Sequence, residues 1–376
     1  MELSAEDALR LNVLLANEPH AVRIDESAMA LYGFSARGES KIKLNPTCRD
    51  EAYIKRVREM LSSHVLGSPG GYPIYLRRWT RMGQARDDSL EKLLLLGEPE
   101  AVVAVVHATG LTDELARRAW WAMPTADNAR MMLTRECVTR GAMGPVLAHY
   151  LIDYLPFEED PQAMIESVRL ILQPGLIDAE TRLRIWTKAR SKNTYFVGFL
   201  LAIPDDLPDP APIHPAGPEL IGALQSLTAI GNPYARQLCR VLDVPGQSFL
   251  ATAELVLRKP NNQDVMVALL EAIQAYFQDV ADGDMRLQSI DDVEAQARAR
   301  CESVACGDAP LAELLAQVPD VKPMLRAMLI LSAVGERLVA PVFARTDAIG
   351  TVMRRKLEPI TTPLLAEMAV LRGSSR

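Results

Sequence analysis

The sequence predicts a mainly helical protein: a HEAT/TPR-like array of helical hairpins, with a small N-terminal β meander and a second all-helical C-terminal domain. Three observations carry this. A pattern recurs at a spacing of 65 residues, in which Gly110, Leu111, Asp113, Arg117, Trp121 and Asn128 return as Gly175, Leu176, Asp178, Arg182, Trp186 and Asn193. Period-two alternation is confined to residues 21–44. Aromatic residues make up only 5% of the 376, while Ala and Leu are plentiful, which favours helices over sheets.

The repeat has a physical reading. Asp, Arg and Trp at i, i+4 and i+8 share one side of a helix, so the carboxylate is expected to pair with the guanidinium and the guanidinium to lie over the indole. Each Gly-Leu-x-Asp opens such a helix, with the acid in the first turn where the helix dipole favours it. Four helices fit between the copies, giving two hairpins of about 32 residues each, the size of stacked solenoid repeats.

Along the chain, residues 4–17 read as a helix capped by Ser4, with Glu6 and Asp7 in its first turn. Val22 and Ile24, then Met29, Leu31 and Phe34, then Ile42 and Leu44 outline the meander, with Ser35–Ser40 closing its last hairpin. So small a sheet cannot stand alone and is expected to pack on the next helix, 49–66, through Tyr53, Val57, Met60 and Leu61. Gly67 stops that helix, Ser68–Gly71 makes a tight turn, and Pro73 suits the first position of another helix. There Tyr72, Tyr75, Trp79 and Met82 take the core side and Arg77, Arg78 and Arg81 the other. The arginine side is expected to be solvated, with a phosphate, nucleic-acid or acidic-partner contact as the alternative.

The helical array begins at Ser89. Pro204–Pro218 contains six prolines and reads as an extended linker. The expected division is therefore a cap at 1–85, a helical-repeat domain at 86–203, a linker at 204–218 and a C-terminal helical domain at 219–376. The last domain should hold helices at 219–230, 234–243, 248–258, 262–280, 289–305, 309–317, 321–343 (broken near Gly335 or Pro341) and 347–371.

Hydrophobic residues at 49% and charged ones at 24% describe an ordinary globular mixture. A net charge of −7 weighs against a dedicated nucleic-acid binder while leaving a local basic patch open. The five cysteines (48, 137, 239, 301 and 306) form no CxxC, and the Met-Glu-Leu-Ser start carries no secretory signal, so a reducing cytoplasm is expected. No run approaches the roughly 20 apolar residues of a membrane span.

Motifs for chemistry are sparse. His149 and Asp153 have i, i+4 spacing, but two ligands do not make a site and no further His lies nearby in sequence. Asp279–Asp284 resembles a calcium loop with its Gly and acids misplaced. Ser68–Gly71 before a helix would suit an anion, without a Walker lysine or a GxGxxG. Cys301 and Cys306 point apart on a helix, and none of the five histidines accompanies a nucleophile elbow. Asn128 and Asn193 are expected to tie turns or helix ends, and Trp121 and Trp186 to pack between hairpins, with a ligand-reading role in a concave groove as the alternative. No catalytic residue, metal ligand or cofactor is therefore expected from local motifs, and a site assembled in space stays open.

Three stretches, 64–84 (HVLGSPGGYPIYLRRWTRMGQ), 111–133 (LTDELARRAWWAMPTADNARMML) and 144–160 (GPVLAHYLIDYLPFEED), resemble DsrS, a family of soluble proteins encoded with the reverse-acting dissimilatory sulfite reductase system of sulfur-oxidising bacteria. The likeness is densest from about residue 50 to 208. It implies a cytoplasmic accessory or regulatory role in sulfur oxidation, with other proteins of that machinery as partners. It carries no catalytic residue. The alternative from a different class is a nucleic-acid-associated regulator working through Arg77, Arg78 and Arg81.

Overall fold

The two patterns in the sequence resolve into twenty α-helices and one three-stranded antiparallel sheet among the described residues of the computed structural model, which are 3–73, 88–281, 289–302, 308–345 and 348–373. The fold is mainly helical with the meander near the N-terminus. Contacts divide the chain into two compact units, Met1–Pro156 with Pro174–Leu176, and Phe157–Gln173 with Ile177–Arg376. The division falls inside the stretch 86–203, and the proline-rich segment 204–218 lies wholly within the second unit.

In the first unit, helix α1 (Ala5–Ala16) starts where the Ser4 hydroxyl accepts the Asp7 N–H at 3.1 Å. Strands β1 (Ala21–Asp25), β2 (Ala30–Ser35) and β3 (Gly38–Lys43) follow in the order β1-β2-β3, with Ala36 and Arg37 forming the two-residue loop of the second hairpin. Helix α2 (Asp50–Leu66) ends at Gly67, whose left-handed φ of 69° suits a residue without a side chain. One face of the sheet, through Val22 and Leu31, joins Leu11, Leu14 and Leu15 of α1 and Tyr53, Ile54, Val57 and Leu61 of α2 in a single apolar core.

A buried carboxylate locks that core. Asp7 is 0% exposed. Its Oδ2 accepts from the Tyr53 hydroxyl at 2.5 Å and from the Asn45 N–H at 2.7 Å, tying α1 to α2 and to the chain leaving β3. Burial, with the Asp7 carboxylate beside it, raises the Tyr53 phenol above its ordinary pKa.

Short helices complete this unit: α3 (Asp88–Leu93), α4 (Pro99–His107), α5 (Asp113–Ala122), α6 (Ala126–Leu133), α7 (Glu136–Thr139) and α8 (Met143–Tyr154). Thr112 and Thr125 cap α5 and α6 through their hydroxyls. Leu115, Ala116 and Ala119 of α5 and Ala129, Met132 and Leu133 of α6 turn inward.

The second unit holds α9 (Pro161–Ile171), α10 (Ala179–Ala189), α11 (Asn193–Ala202), α12 (Gly217–Ala229), α13 (Pro233–Leu242), α14 (Val244–Arg258) and α15 (Gln263–Tyr276). Then come α16 (Ile290–Glu302), α17 (Ala309–Gln317), α18 (Lys322–Ser332), α19 (Glu336–Phe343) and α20 (Gly350–Leu371). The break expected in 321–343 falls between α18 and α19, next to Gly335. Helix α11 is apolar on every side and is the buried axis, with Thr194 to Leu200 all covered. A Cβ on Gly198 would come within 2.6 Å of Val168, so only glycine lets α9 and α11 approach so closely.

The proline-rich segment carries no helix from Pro204 to Ala216, and it is strapped down. Asp205 receives two hydrogen bonds from Arg240, at 2.8 and 2.6 Å, and Asp206 pairs with Arg182 at 2.7 Å. The Ala211 N–H reaches the Ser248 hydroxyl at 2.8 Å, and the His214 N–H reaches the Leu242 carbonyl at 3.0 Å. Arg240 also lies 3.9 Å over the Tyr276 ring, which stacks on Phe249. Burial above all raises the Tyr276 phenol's pKa.

Two outcomes follow. Tyr53→Phe leaves Asp7 buried with one donor fewer and should cost about 1–3 kcal/mol in chemical denaturation; a variant as stable as the wild type would mean that Asp7 does not depend on the phenol. His214 is 3% exposed, and burial holds its imidazole below the ordinary pKa. A base whose folded pKa is depressed contributes fully above its unfolded value of about 6.5, and that contribution is lost as pH falls below it. The stability gap between the wild type and His214→Asn should therefore shrink between about pH 8 and about pH 5; a gap constant with pH would contradict this.

Candidate interaction face of the meander

The pairing register sorts the sheet's side chains into two sets. Tyr32 faces Arg23 and Lys41 across the ladders, Phe34 faces Ala21 and Glu39, and Ala30 faces Lys43. These residues share the face opposite the apolar core.

Helix α5 covers part of that second face with a mixed cationic and aromatic layer. The Trp121 indole stacks on Phe34 with centroids 5.2 Å apart, and its Nε1–H donates to Glu39 Oε2 at 3.0 Å. The Arg23 guanidinium lies 4.7 Å from the Tyr32 centroid and 5.1 Å from that of Trp121. Lys41 Nζ lies 5.2 Å over Tyr32, and Arg117 lies 4.7 Å over Phe34. Such contacts stabilise by roughly 0.5–1 kcal/mol each at exposed sites. Arg117 also grips Glu114 at 2.7 and 2.6 Å, and its hydrogen bonds, with those of Arg118, pull the Glu114 carboxyl down to about 2. That contribution is present above the ordinary carboxylate range and is lost as pH falls towards 2.

Each edge of the sheet is tied at one point. On β1 the Val22 N–H donates to the Leu94 carbonyl at 2.8 Å. On β3 the Leu44 N–H donates to Met29 directly opposite, at 2.8 Å. The alternation of an antiparallel ladder then turns Ile42, Ser40 and Gly38 towards β2, and the N–H and C=O of Glu39, Lys41 and Lys43 outward. The Lys43 carbonyl accepts from Arg10 of α1 at 3.4 Å. Between α1 and this edge lies a groove of about 580 Å³, lined in part by Leu9 and Val13, which are 66% and 55% exposed.

The residues singled out by sequence fall elsewhere. Arg77, Arg78 and Arg81 lie outside the described residues. The repeat recurs as helix–turn–helix, α5–α6 and α10–α11, but its side chains do not play matching parts, which corrects the expectation of like Asp–Arg–Trp ladders. Arg117 pairs with Glu114 rather than forming the expected ladder, and the Asp113 carboxylate accepts the Ala142 and Met143 N–H groups at 3.0 and 3.1 Å. In the second copy Ile177 replaces the capping Thr112, so Asp178 becomes the N-cap, bonding the Thr181 N–H at 2.7 Å, and Arg182 turns to Asp206. Trp121 is half-buried on the meander. Trp186 is 4% exposed and packs edge-on against Phe196 and Phe199 of its own hairpin. Asn128 is the third residue of α6 and donates to Met123 at 3.0 Å; Asn193 is the first of α11 and donates to Lys259 at 2.7 Å.

The Ser68–Gly71 turn does hold an anion, one supplied by the chain. The Tyr72 N–H donates to Glu98 Oε2 at 2.9 Å, and a Cβ on Gly71 would sit 2.1 Å from Glu98 Oε1. His149 bonds the Pro145 carbonyl through Nδ1 at 2.7 Å. Among the described residues no group of three or more His, Cys, Asp or Glu side chains is arranged to hold a metal ion. Cys301 is buried, and Cys306 lies outside the described residues.

Sequence reasoning passed over Arg23, Tyr32, Glu39 and Lys41. Their signal was the outward half of the alternation, which identifies a second face but not what covers it. The two tryptophans should separate under mutation: Trp186→Ala is expected to cost about 3–5 kcal/mol in urea unfolding, and Trp121→Ala less than half as much. Equal costs would restore the equivalence of the two copies.

Compared with known proteins, the chain matches no family model, no curated protein and no solved structure.

Proposed function

We propose that this chain is a non-catalytic accessory or regulatory protein of bacterial sulfur oxidation, acting in the cytoplasm through contacts with other proteins of that machinery. The observation that supports a contact role is the groove beside β3, where exposed Leu9 and Val13 flank a strand whose Glu39 and Lys41 peptide groups turn outward. The sulfur-oxidation setting rests on the likeness of residues 64–84, 111–133 and 144–160 to DsrS. Among the described residues no helix is long and apolar enough to cross a membrane.

The test is affinity purification of the tagged full chain from a sulfur-oxidising bacterium grown with and without reduced sulfur. Sulfur-oxidation proteins should co-purify in defined ratio to the chain; recovery of the chain alone under both conditions would overturn the reading. The alternative, a nucleic-acid-associated regulator, is motivated by the run Arg77, Arg78 and Arg81. It requires that replacing all three lowers RNA or DNA affinity and flattens its salt dependence by up to about three counterion units.

A further inference from the structure

We propose that the outer edge of β3 is a docking site for an extended peptide segment of a partner protein, one that alternates apolar and acidic residues and adds to the meander as a fourth, antiparallel or parallel strand. The inference rests on the contact role proposed above and names its mode and chemistry.

The backbone supplies the first half of the argument. Strand order β1-β2-β3 makes β3 an edge, and its register turns the N–H and C=O groups of Glu39 and Lys41 away from β2. An incoming strand can pair with those groups in the manner of strand addition.

Side chains on either side of the edge supply the second half, because they differ. Helix α1 lies on the apolar-core face of the sheet and reaches past β3, as the Arg10 contact with the outward Lys43 carbonyl shows. Leu9 and Val13, one turn apart on α1, therefore overhang the place an added strand would occupy, and both are exposed. Lys41 and Lys43 belong to the opposite face, where Lys41 stands over Tyr32, and both are exposed. Successive side chains of the added strand would meet Leu9 and Val13 on one face and the two ammonium groups on the other. Apolar residues suit the first face and carboxylates the second, since opposite charges directly across a ladder attract.

The test is selection of random nonapeptides displayed on phage against the full chain, in parallel with Lys41→Glu/Lys43→Glu and Leu9→Asp/Val13→Asp variants. All four positions are exposed or on the helix surface, and circular dichroism checks that each variant folds. Peptides enriched on the wild type should alternate Val, Ile or Leu with Asp or Glu, and should bind each variant at least tenfold more weakly by fluorescence anisotropy. N-methylation of alternate backbone nitrogens should abolish binding for one set and spare it for the other, the mark of a one-sided ladder. No enrichment, a winning pattern without the alternation, winners that bind the charge-reversed variant equally well, or equal effects of the two methylated sets would overturn the proposal. If sulfur-oxidation proteins still co-purify with the charge-reversed chain, strand addition fails while the contact role stands; if none co-purifies even with the wild type, the contact role itself fails.

Discussion

A three-stranded sheet of five- and six-residue strands cannot hold itself together in water, and the first unit is organised around that constraint. Each boundary of the meander is handled differently. One face is sealed by the apolar sides of α1 and α2, with the buried Asp7–Tyr53 pair fixing the angle between them. The opposite face is covered in part by α5 through stacked rings and guanidinium groups, a layer that tolerates partial exposure because its cations keep some of their hydration. Backbone from the turn after α3 reaches β1. On β3 the N–H and C=O groups of Glu39 and Lys41 turn outward beside exposed Leu9 and Val13, so this edge is where the unit can engage something else.

The same need for cover explains why two similar stretches of sequence do different work. In α5 the tryptophan side of the helix has a sheet to pack on, so Trp121 stays amphipathic, with its ring on Phe34 and its N–H on Glu39. Beside α10 no strand lies among the described residues, and Trp186 turns to the two phenylalanines of α11, becoming core. The arginines follow their surroundings: Arg117 finds Glu114 one turn back, whereas Arg182 finds Asp206 on the strap that follows α11. Sequence similarity here preserved the helix–turn–helix skeleton, which local signals dictate, and not the contacts, which neighbours dictate.

That distinction also marks what could be read from the chain alone. The start of α1 was legible because its capping group is local, Ser4 bonding the Asp7 N–H three residues ahead, whereas Asp178, expected in the first turn of its helix, is the N-cap. The meander was legible because alternation is unmistakable in a chain otherwise patterned for helices. The strap was half legible, since prolines impose an extended backbone but cannot announce that Asp205 and Asp206 will find Arg240 and Arg182. The occupant of the Ser68–Gly71 turn was not legible, because the carboxylate that fills it belongs to Glu98 and nothing local points there. Likewise the candidate interaction face joins α1, three strands and α5, parts as distant in sequence as Leu9 and Trp121.

The central claim, that β3 turns the peptide groups of Glu39 and Lys41 outward and leaves them open to a partner, has a direct readout in residue-resolved amide hydrogen exchange on the full chain. The N–H groups of Val22, Ser40, Ile42 and Leu44 should be protected, being hydrogen-bonded to Leu94 or within the β2–β3 ladder, whereas those of Glu39 and Lys41 should exchange far faster than their immediate neighbours. Slow exchange at Glu39 and Lys41 in the isolated protein, or the loss of alternation along 38–44, would contradict the account.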